Sequence, residues 1–252
     1  MVDIHCHILP NVDDGPKDWK ASEQMCRIAA EDGITHLVAT PHSNDDYRYD
    51  RGTLRAGLTR LQALCGEWPM LTLGCDFHLS YENVHDAMRE PARFAIGNTQ
   101  YLLVEFSDFS LSLPMRDALI RLGGAGLVPI VTHPERNLLM QRNRELIVKL
   151  LELGCLVQVT ASALTGRWGD SARDTAVWLL RHDAVHVLAT DAHDTVHRPP
   201  VLSAGRDAAA KICGQDVARA LVDDNPRAII SGEMVPYLPV VRKSRRGKAP
   251  SF

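Results

Sequence analysis

Asp3-Ile4-His5-Cys6-His7 decides how this chain is read. The two histidines stand two residues apart, at the end of a predicted first strand over residues 2–5. Alternate side chains of a strand share a face. His5 and His7 are therefore expected to point one way, and Ile4 and Cys6 the other. Two imidazoles on one face of a rigid strand can grip one cation. His-x-His alone is a weak motif, so its weight depends on what the other strand ends bring to the same place.

They bring similar chemistry. Apolar runs at 34–40, 71–78, 101–106, 128–132, 156–160 and 186–189 read as six further strands. The second leads into Thr40-Pro41-His42. The third ends in Asp76-Phe77-His78, and the fourth carries Glu105. The fifth leads into His133-Pro134-Glu135-Arg136, and the last into Thr190-Asp191-Ala192-His193. Helical patterns over 17–32, 53–67, 115–123, 144–153 and 171–181 alternate with the strands, and two more follow over 202–213 and 216–223. About seven βα repeats with near-continuous apolar strands predict an all-parallel sheet covered by helices. No G-x-G-x-x-G follows a strand, so a dinucleotide site has no support. An open sheet would concentrate polar chemistry near one switch point. A closed α/β barrel sends every strand C-terminus to one mouth, and the recurrence of ionisable residues at almost every strand end favours it. Residues 1–235 are expected to form one barrel domain, and 236–252 a basic, flexible tail.

The 252 residues are 45% hydrophobic and 23% charged, enough for a core without disulfide staples. Six cysteines are scattered with no C-x-x-C pair. The first strand opens at residue 2, so no leader is expected, and no apolar run approaches the roughly 20 residues of a membrane span. The expectation is a cytoplasmic protein with free thiols. Net charge is −3. Setting aside Arg242, Lys243, Arg245, Arg246 and Lys248 of the tail leaves 23 basic against 31 acidic residues, a body near −8. That balance argues against nucleic acid as the main partner.

The strand ends together offer His5, His7, His42, His78, His133 and His193, with Asp14, Asp76, Glu105 and Asp191. Burying that much polarity in one mouth without cations would be costly. Cations keep the carboxylates charged and the imidazoles neutral. Ten candidate ligands exceed one ion's needs, and three ions taking three or four each is the natural division. Mixed N/O donors without thiolate suit Mn²⁺, Fe²⁺, Zn²⁺ or Mg²⁺. Cys6 and Cys75 are expected to fill the core instead.

The stretches Asp3 to Pro10, Asp13-Asp14-Gly15, Ala39-Thr40-Pro41-His42, His133-Pro134-Glu135-Arg136 and Asp191-Ala192-His193 carry a resemblance. Over residues 2–232 the chain resembles the PHP (polymerase and histidinol phosphatase) superfamily. Within it, the chain is similar to the manganese-dependent bacterial tyrosine phosphatases of capsule and exopolysaccharide loci. The resemblance implies a distorted (β/α)7 barrel with three metal ions, Mn first. It implies His5, His7, Asp76 and Asp191 around the first ion. Asp76, Glu105 and His133 would take the second, and Asp14, His42 and His193 the third. The pattern leads one to expect glutamate where Asp76 stands; the aspartate, or His78 on the same strand face, is expected to compensate. The implied substrate is a phosphotyrosine protein, the tail of a bacterial tyrosine kinase.

Closely spaced divalent cations favour in-line displacement at phosphorus. They acidify a bound water to hydroxide near neutral pH and neutralise phosphoryl and leaving-group charge. The non-bridging oxygens then need planar bidentate donors. Arg136, three residues past His133, and Arg198, five past His193, are the candidates, and both match arginines of the resembled phosphatases. Cys213 to Arg219 fits Cys-x5-Arg, but the run crosses a helix junction and lacks the glycines of a phosphate loop. Rival readings are a PHP phosphatase on a small substrate such as histidinol phosphate, a metal-dependent amidohydrolase, and a non-catalytic kinase-binding module. Lys17, Lys20, Lys149, Lys211, Lys243 and Lys248 all fall off the strands, which counts against an amidohydrolase that needs a carboxylated lysine.

Overall fold

A computed structural model of the chain describes residues 1–106 and 113–239; the five basic tail residues lie outside them. In order, the elements are β1 (Val2–Cys6), α1 (Trp19–Glu31), β2 (His36–Ala39), β3 (His42–Ser43), α2 (Arg51–Cys65), β4 (Met70–Leu73), β5 (Asp76–His78), α3 (Tyr81–Arg89) and β6 (Tyr101–Glu105). Then follow α4 (Leu113–Gly124), β7 (Val128–Thr132), α5 (Leu138–Arg142), α6 (Glu145–Glu152), β8 (Leu156–Thr160), α7 (Gly169–Arg181) and β9 (Val187–Ala189). The last are α8 (Ser203–Cys213), α9 (Gln215–Arg219) and α10 (Asn225–Ser231).

All strand pairs are parallel. They form two ladders, β1-β2-β4 and β3-β5-β6-β7-β8-β9. The ladders are parts of one ring, because β2 runs into β3 and β4 into β5. The predicted strand over 71–78 is thus broken in two, and the one predicted to end at Thr40 is followed by a separate short strand. Pro41 has no N–H to give a ladder, so β2 stops at Ala39 and Thr40 turns inward, its hydroxyl oxygen accepting from Cys6 N at 3.0 Å. At Gly74 a Cβ would lie 2.9 Å from Val38 Cγ1, so only glycine permits the strands to approach there. The ring closes where Asp191 N donates to His5 O at 2.8 Å and His7 N donates to Ala192 O at 2.8 Å. The result is a distorted seven-stave barrel.

Two cores follow from strand alternation. Val2, Ile4, Val38, Leu103, Ile130 and Val187 cluster inside the ring. Leu37, Val104, Val131 and Leu179 belong to the larger core between strands and helices. The predicted pairing of Ile4 with Cys6 on one face does not hold: Ile4 packs inside and Cys6 outside. The register of β1 against β2 shifts between Asp3 and Cys6, and this bulge reverses the alternation. The short helices α3 and α5 were not in the sequence pattern; Ser80 and Asn137 cap them through their side chains. All six cysteines are free, and Cys6 and Cys75 are buried core fillers as expected. Among the described residues no helix is long and apolar enough to cross a membrane.

His186 enters β9 from the base of the barrel and is buried. Its Nδ1 accepts from Val157 N at 3.2 Å. Burial pushes its pKa down from 6.5 to about 4. A histidine whose pKa falls on folding contributes stability that is complete above pH 6.5 and is lost as pH drops toward 4. The expected loss is about 3 kcal/mol over that window. Urea unfolding of EDTA-treated protein at pH 7 and pH 4 checks it. His186→Leu should flatten the pH dependence by about that amount.

Candidate metal centre

The barrel register brings ligand-type residues into adjacency. His42 pairs with Asp76 across β3 and β5, and His78 pairs with Glu105 across β5 and β6. Where regular strand geometry does not suffice, the backbone turns. His133 (φ 33°) and Asp191 (φ 50°) both take left-handed conformations just past β7 and β9. Such conformations persist at sites where the surroundings enforce them.

His5, His7 and Asp76 form one group, and Asp191 approaches both histidines from the group it makes with His5 and His133. His5 Nε2 lies 3.3 Å from His7 Nε2, 3.5 Å from Asp76 Oδ2 and 3.4 Å from Asp191 Oδ1. His7 Nε2 lies 3.9 Å from Asp76 Oδ2 and 3.5 Å from Asp191 Oδ1. Donors held about 2.1 Å from a tetrahedral ion stand about 3.4 Å apart, so the spacings among His5, His7 and Asp76 are of the size that one ion between them needs. Both Asp76 oxygens are buried without a hydrogen-bond partner. A buried carboxylate left so is costly, and a cation is what its surroundings accommodate. The shorter side chain thus reaches the cluster, and also approaches His42 Nδ1 at 3.2 Å.

Asp14, His42 and His193 also converge, as the resemblance implied. Asp14 Oδ1 lies 3.1 Å from His193 Nε2 and 3.4 Å from His42 Nε2, with His7 in the same group. The grouping expected around the second ion differs in detail. Glu105 meets Asp76 through a trio with His42, while His133 forms a trio with His5 and Asp191. His133 Nε2 still lies 3.6 Å from Glu105 Oε1. His42 presents one ring nitrogen to Asp14 and the other to Asp76, so it stands between two groups. His78, partly exposed, reaches only the rim of this array, with Nδ1 3.9 Å from Glu105 Oε2.

Electrostatics follow from these contacts. Burial works against a charged His5, but Asp76 and Asp191 outweigh it and hold its pKa at about 9. His42 is likewise opposed by burial and lifted to about 11 by Asp14 and Asp76. Burial and the nearby His193 push His7 down to about 4. Burial, then Arg136, holds His133 well below the usual range. Burial and the Asp76 charge raise Glu105.

Arg136 and Arg198 meet at one atom. Both donate to Asp191 Oδ2, Arg198 through Nη2 at 2.6 Å. Arg198 Nη2 also donates to the Asp191 carbonyl at 3.0 Å. These contacts use part of each fork, since a guanidinium carries five N–H donors. A cavity of about 790 Å³ opens beside them, lined by His78, Glu105, His133, Arg136, Leu138 and Trp168 among others. The Cys-x5-Arg run makes no phosphate loop. Cys213 ends α8 with its thiol on Ala209 O at 3.2 Å and its pKa raised by burial, and Arg219 pairs with Asp224.

Three supporting residues escaped the sequence reading. Asp13 Oδ2 accepts from His7 Nδ1 at 2.7 Å and from His42 N at 3.2 Å, and its Oδ1 accepts from Gly15 N at 3.0 Å. Gln158 Oε1 lies 3.0 Å from His5 Nδ1. Trp168 lies under Arg136. Asp13 sits in the Asp13-Asp14-Gly15 stretch, so its position was visible but its role was not. Gln158 lies on β8, far away in sequence.

Residues 1–231 match the family described as capsular polysaccharide synthesis, CpsB/CapC. The chain belongs to the CpsB/CapC family. It is 31% identical over 207 residues to CapC of Staphylococcus aureus, covering 80% of each chain. To the tyrosine-protein phosphatase YwqE of Bacillus subtilis it is 30% identical over 201 residues, 79% of each. Among solved structures it matches one from a study of YwqE and of CpsB from Streptococcus pneumoniae, described as unique metal-dependent tyrosine phosphatases. The TM-score is 0.87 and the identity 28%, over 96% of this chain and all of the other. The family match spans every strand of the ring described above.

An outer hydrogen bond fixes the orientation of a metal-binding histidine, and removing it typically costs 10- to 100-fold in affinity. Asp13→Ala frees His7 Nδ1 and is expected to weaken Mn²⁺ binding by about that factor with the fold intact. Titration of chelator-stripped protein with Mn²⁺, with circular dichroism alongside, measures both.

Proposed function

We propose that this protein is a metal-dependent protein-tyrosine phosphatase that hydrolyses phosphotyrosine on a bacterial tyrosine kinase in capsule or exopolysaccharide regulation. The observation that carries the reading is the double use of Asp191: one oxygen faces His5 and His7, and the other receives Arg136 and Arg198. A group of metal-type donors and two phosphate-type donors thus share one carboxylate beside a cavity large enough for an aryl phosphate. The names of the relatives point the same way.

In this reading three divalent ions, manganese first and iron, zinc or magnesium as alternatives, are held by His5, His7, Asp14, His42, Asp76, Glu105, His133, Asp191 and His193. The bound ions supply an acidified water and neutralise charge on the phosphoryl and leaving oxygens. The chain's own residues do the rest. Asp13 and Gln158 keep His7 and His5 turned with Nε2 toward the cluster. Arg136 and Arg198 take the non-bridging oxygens and orient phosphorus for in-line attack. A water oxygen–phosphorus bond forms as the phosphorus–phenol oxygen bond breaks. The phenolate leaves with a pKa about 10, so it needs only modest proton donation. Residues 1–235 act as one domain, and the protein works in the cytoplasm.

The test is hydrolysis of a phosphotyrosine peptide by Mn²⁺-loaded protein. EDTA should abolish it and added Mn²⁺ restore it. Arg136→Ala should lower kcat/KM by roughly 100- to 1,000-fold, the scale for losing one transition-state donor. His5→Ala should lower it further, and Cys213→Ser should leave it unchanged. Peptide hydrolysis that survives both EDTA and His5→Ala would sink the proposal.

A further inference from the structure

Six staves of the barrel deliver ligand-type side chains to the mouth. The remaining one, β8, ends in Thr160 and delivers none among the described residues. Its contribution comes later. The chain leaves β8 through a short turn, Ala161–Ala163, and reaches Trp168 just ahead of α7. There the indole ring lies 3.7 Å from Arg136 Cζ and 5.1 Å from Arg198 Cζ, measured to its centre. Its Nε1 donates to Ser162 Oγ at 3.0 Å, which pins the ring to its own loop. The ring lines the 790 Å³ cavity on one side and a smaller cavity of about 220 Å³ on the other, so it stands as a wall between them.

The two guanidiniums come from separate loops, after β7 and after β9, yet share two neighbours: Asp191 Oδ2 and Trp168. Two cations drawn to one oxygen repel each other, and an aromatic face beside both offsets that repulsion. The shared face matters more once the arginines engage a ligand. N–H groups that pass from Asp191 to another anion give up the contact that orders them. A freed arginine has many rotamers to sample. A guanidinium kept flat on an indole retains its plane and loses less freedom when its fork closes on an oxyanion.

We infer that Trp168 is a positioning residue that holds the planes of Arg136 and Arg198 for a phosphoryl group at the mouth. The identity of that ligand rests on the phosphatase reading; the platform itself rests on the ring geometry.

Inorganic phosphate is the probe, titrated calorimetrically into Mn²⁺-loaded full-length protein. Losing two cation–π contacts is expected to raise the phosphate Kd about tenfold in Trp168→Leu. Trp168→Phe keeps an aromatic face and should restore most of the affinity. In an Arg136→Ala, Arg198→Ala background, Trp168→Leu should cost less than about threefold, because the groups it orders are gone. Bound manganese should match wild type throughout. Should Trp168→Leu fail to fold, Ser162→Ala decides: it unpins the ring without disturbing its packing and should weaken phosphate about threefold. The inference is overturned by a phosphate Kd unchanged in Trp168→Leu, by an equal loss with the arginines absent, or, where that variant does not fold, by no change in Ser162→Ala. Calorimetry needs no turnover. A protein inert toward phosphotyrosine peptide that still binds phosphate through Trp168 would remove the phosphatase reading and leave the platform standing.

Discussion

Asp191 joins three parts of the molecule through one residue. Its N–H donates to His5 O and closes the ring between β9 and β1. Its Oδ1 faces His5 and His7, and its Oδ2 receives both arginines. The left-handed backbone at this position turns the side chain across the mouth instead of along the strand. Barrel closure, the first donor cluster and the arginine pair therefore cannot shift independently. The two arginines and His5 also hold its carboxyl well below the usual range, against the pull of burial. It stays an anion at any pH where the protein functions.

The mouth concentrates charge that an apolar core would exclude, and its balance depends on what fills it. Asp76 is wholly buried, neither oxygen accepts a hydrogen bond, and Oδ2 faces the imidazoles of His5 and His42. The carboxylates keep His5 and His42 protonated well above neutral pH, so protons offset the negative charge wherever cations do not. Cations that displace those protons turn the same nitrogens into donors. Asp13 and Gln158 prepare that exchange. Each engages the Nδ1 of its histidine and leaves Nε2 directed at the cluster. The ligands alone describe half of such a site; the partners behind them set which nitrogen faces the metal.

Much of this was legible in the sequence because it is periodic. Seven apolar runs marked the staves, and each run's end marked a place at the mouth. His5, His7, Asp76 and Asp191 converge, as do Asp14, His42 and His193, because parallel strands put their C-termini on one side. What stayed hidden is non-periodic. The short β3 beyond Pro41 lay past a run that ended at Thr40, and the close approach at Gly74 lay inside a run that read as continuous. The bulge between Asp3 and Cys6 overturned the simple alternation of Ile4 and Cys6. Gln158 and Trp168 answer to residues more than 30 positions away, or on other staves, and no local pattern announces such contacts. The grouping of His133 with His5 and Asp191 depends on a left-handed turn that its sequence does not advertise.

These irregularities have a common cause. Neighbouring strands lie about 4.8 Å apart, whereas donors around one small cation stand about 3.4 Å apart. Backbone spacing alone does not bring the ligands of adjacent staves within range of one ion; the lean of the side chains and local departures from the ladder close the gap together, as where His42 Nδ1 meets Asp76 Oδ2 at 3.2 Å across a regular pair. The departures occur where that gap must be closed: the bulge in β1 beneath His5 and His7, the break before His42, the break before Asp76, and the left-handed turns at His133 and Asp191. Two staves lack such departures. β6 runs straight to Glu105, whose carboxylate stays 3.6–3.9 Å from the imidazoles around it. β8 runs straight to Thr160 and adds no ligand-type side chain to the donor groups. Bulge, breaks and left-handed turns thus act together with the lean of the side chains to bring donors from six staves within reach of one another.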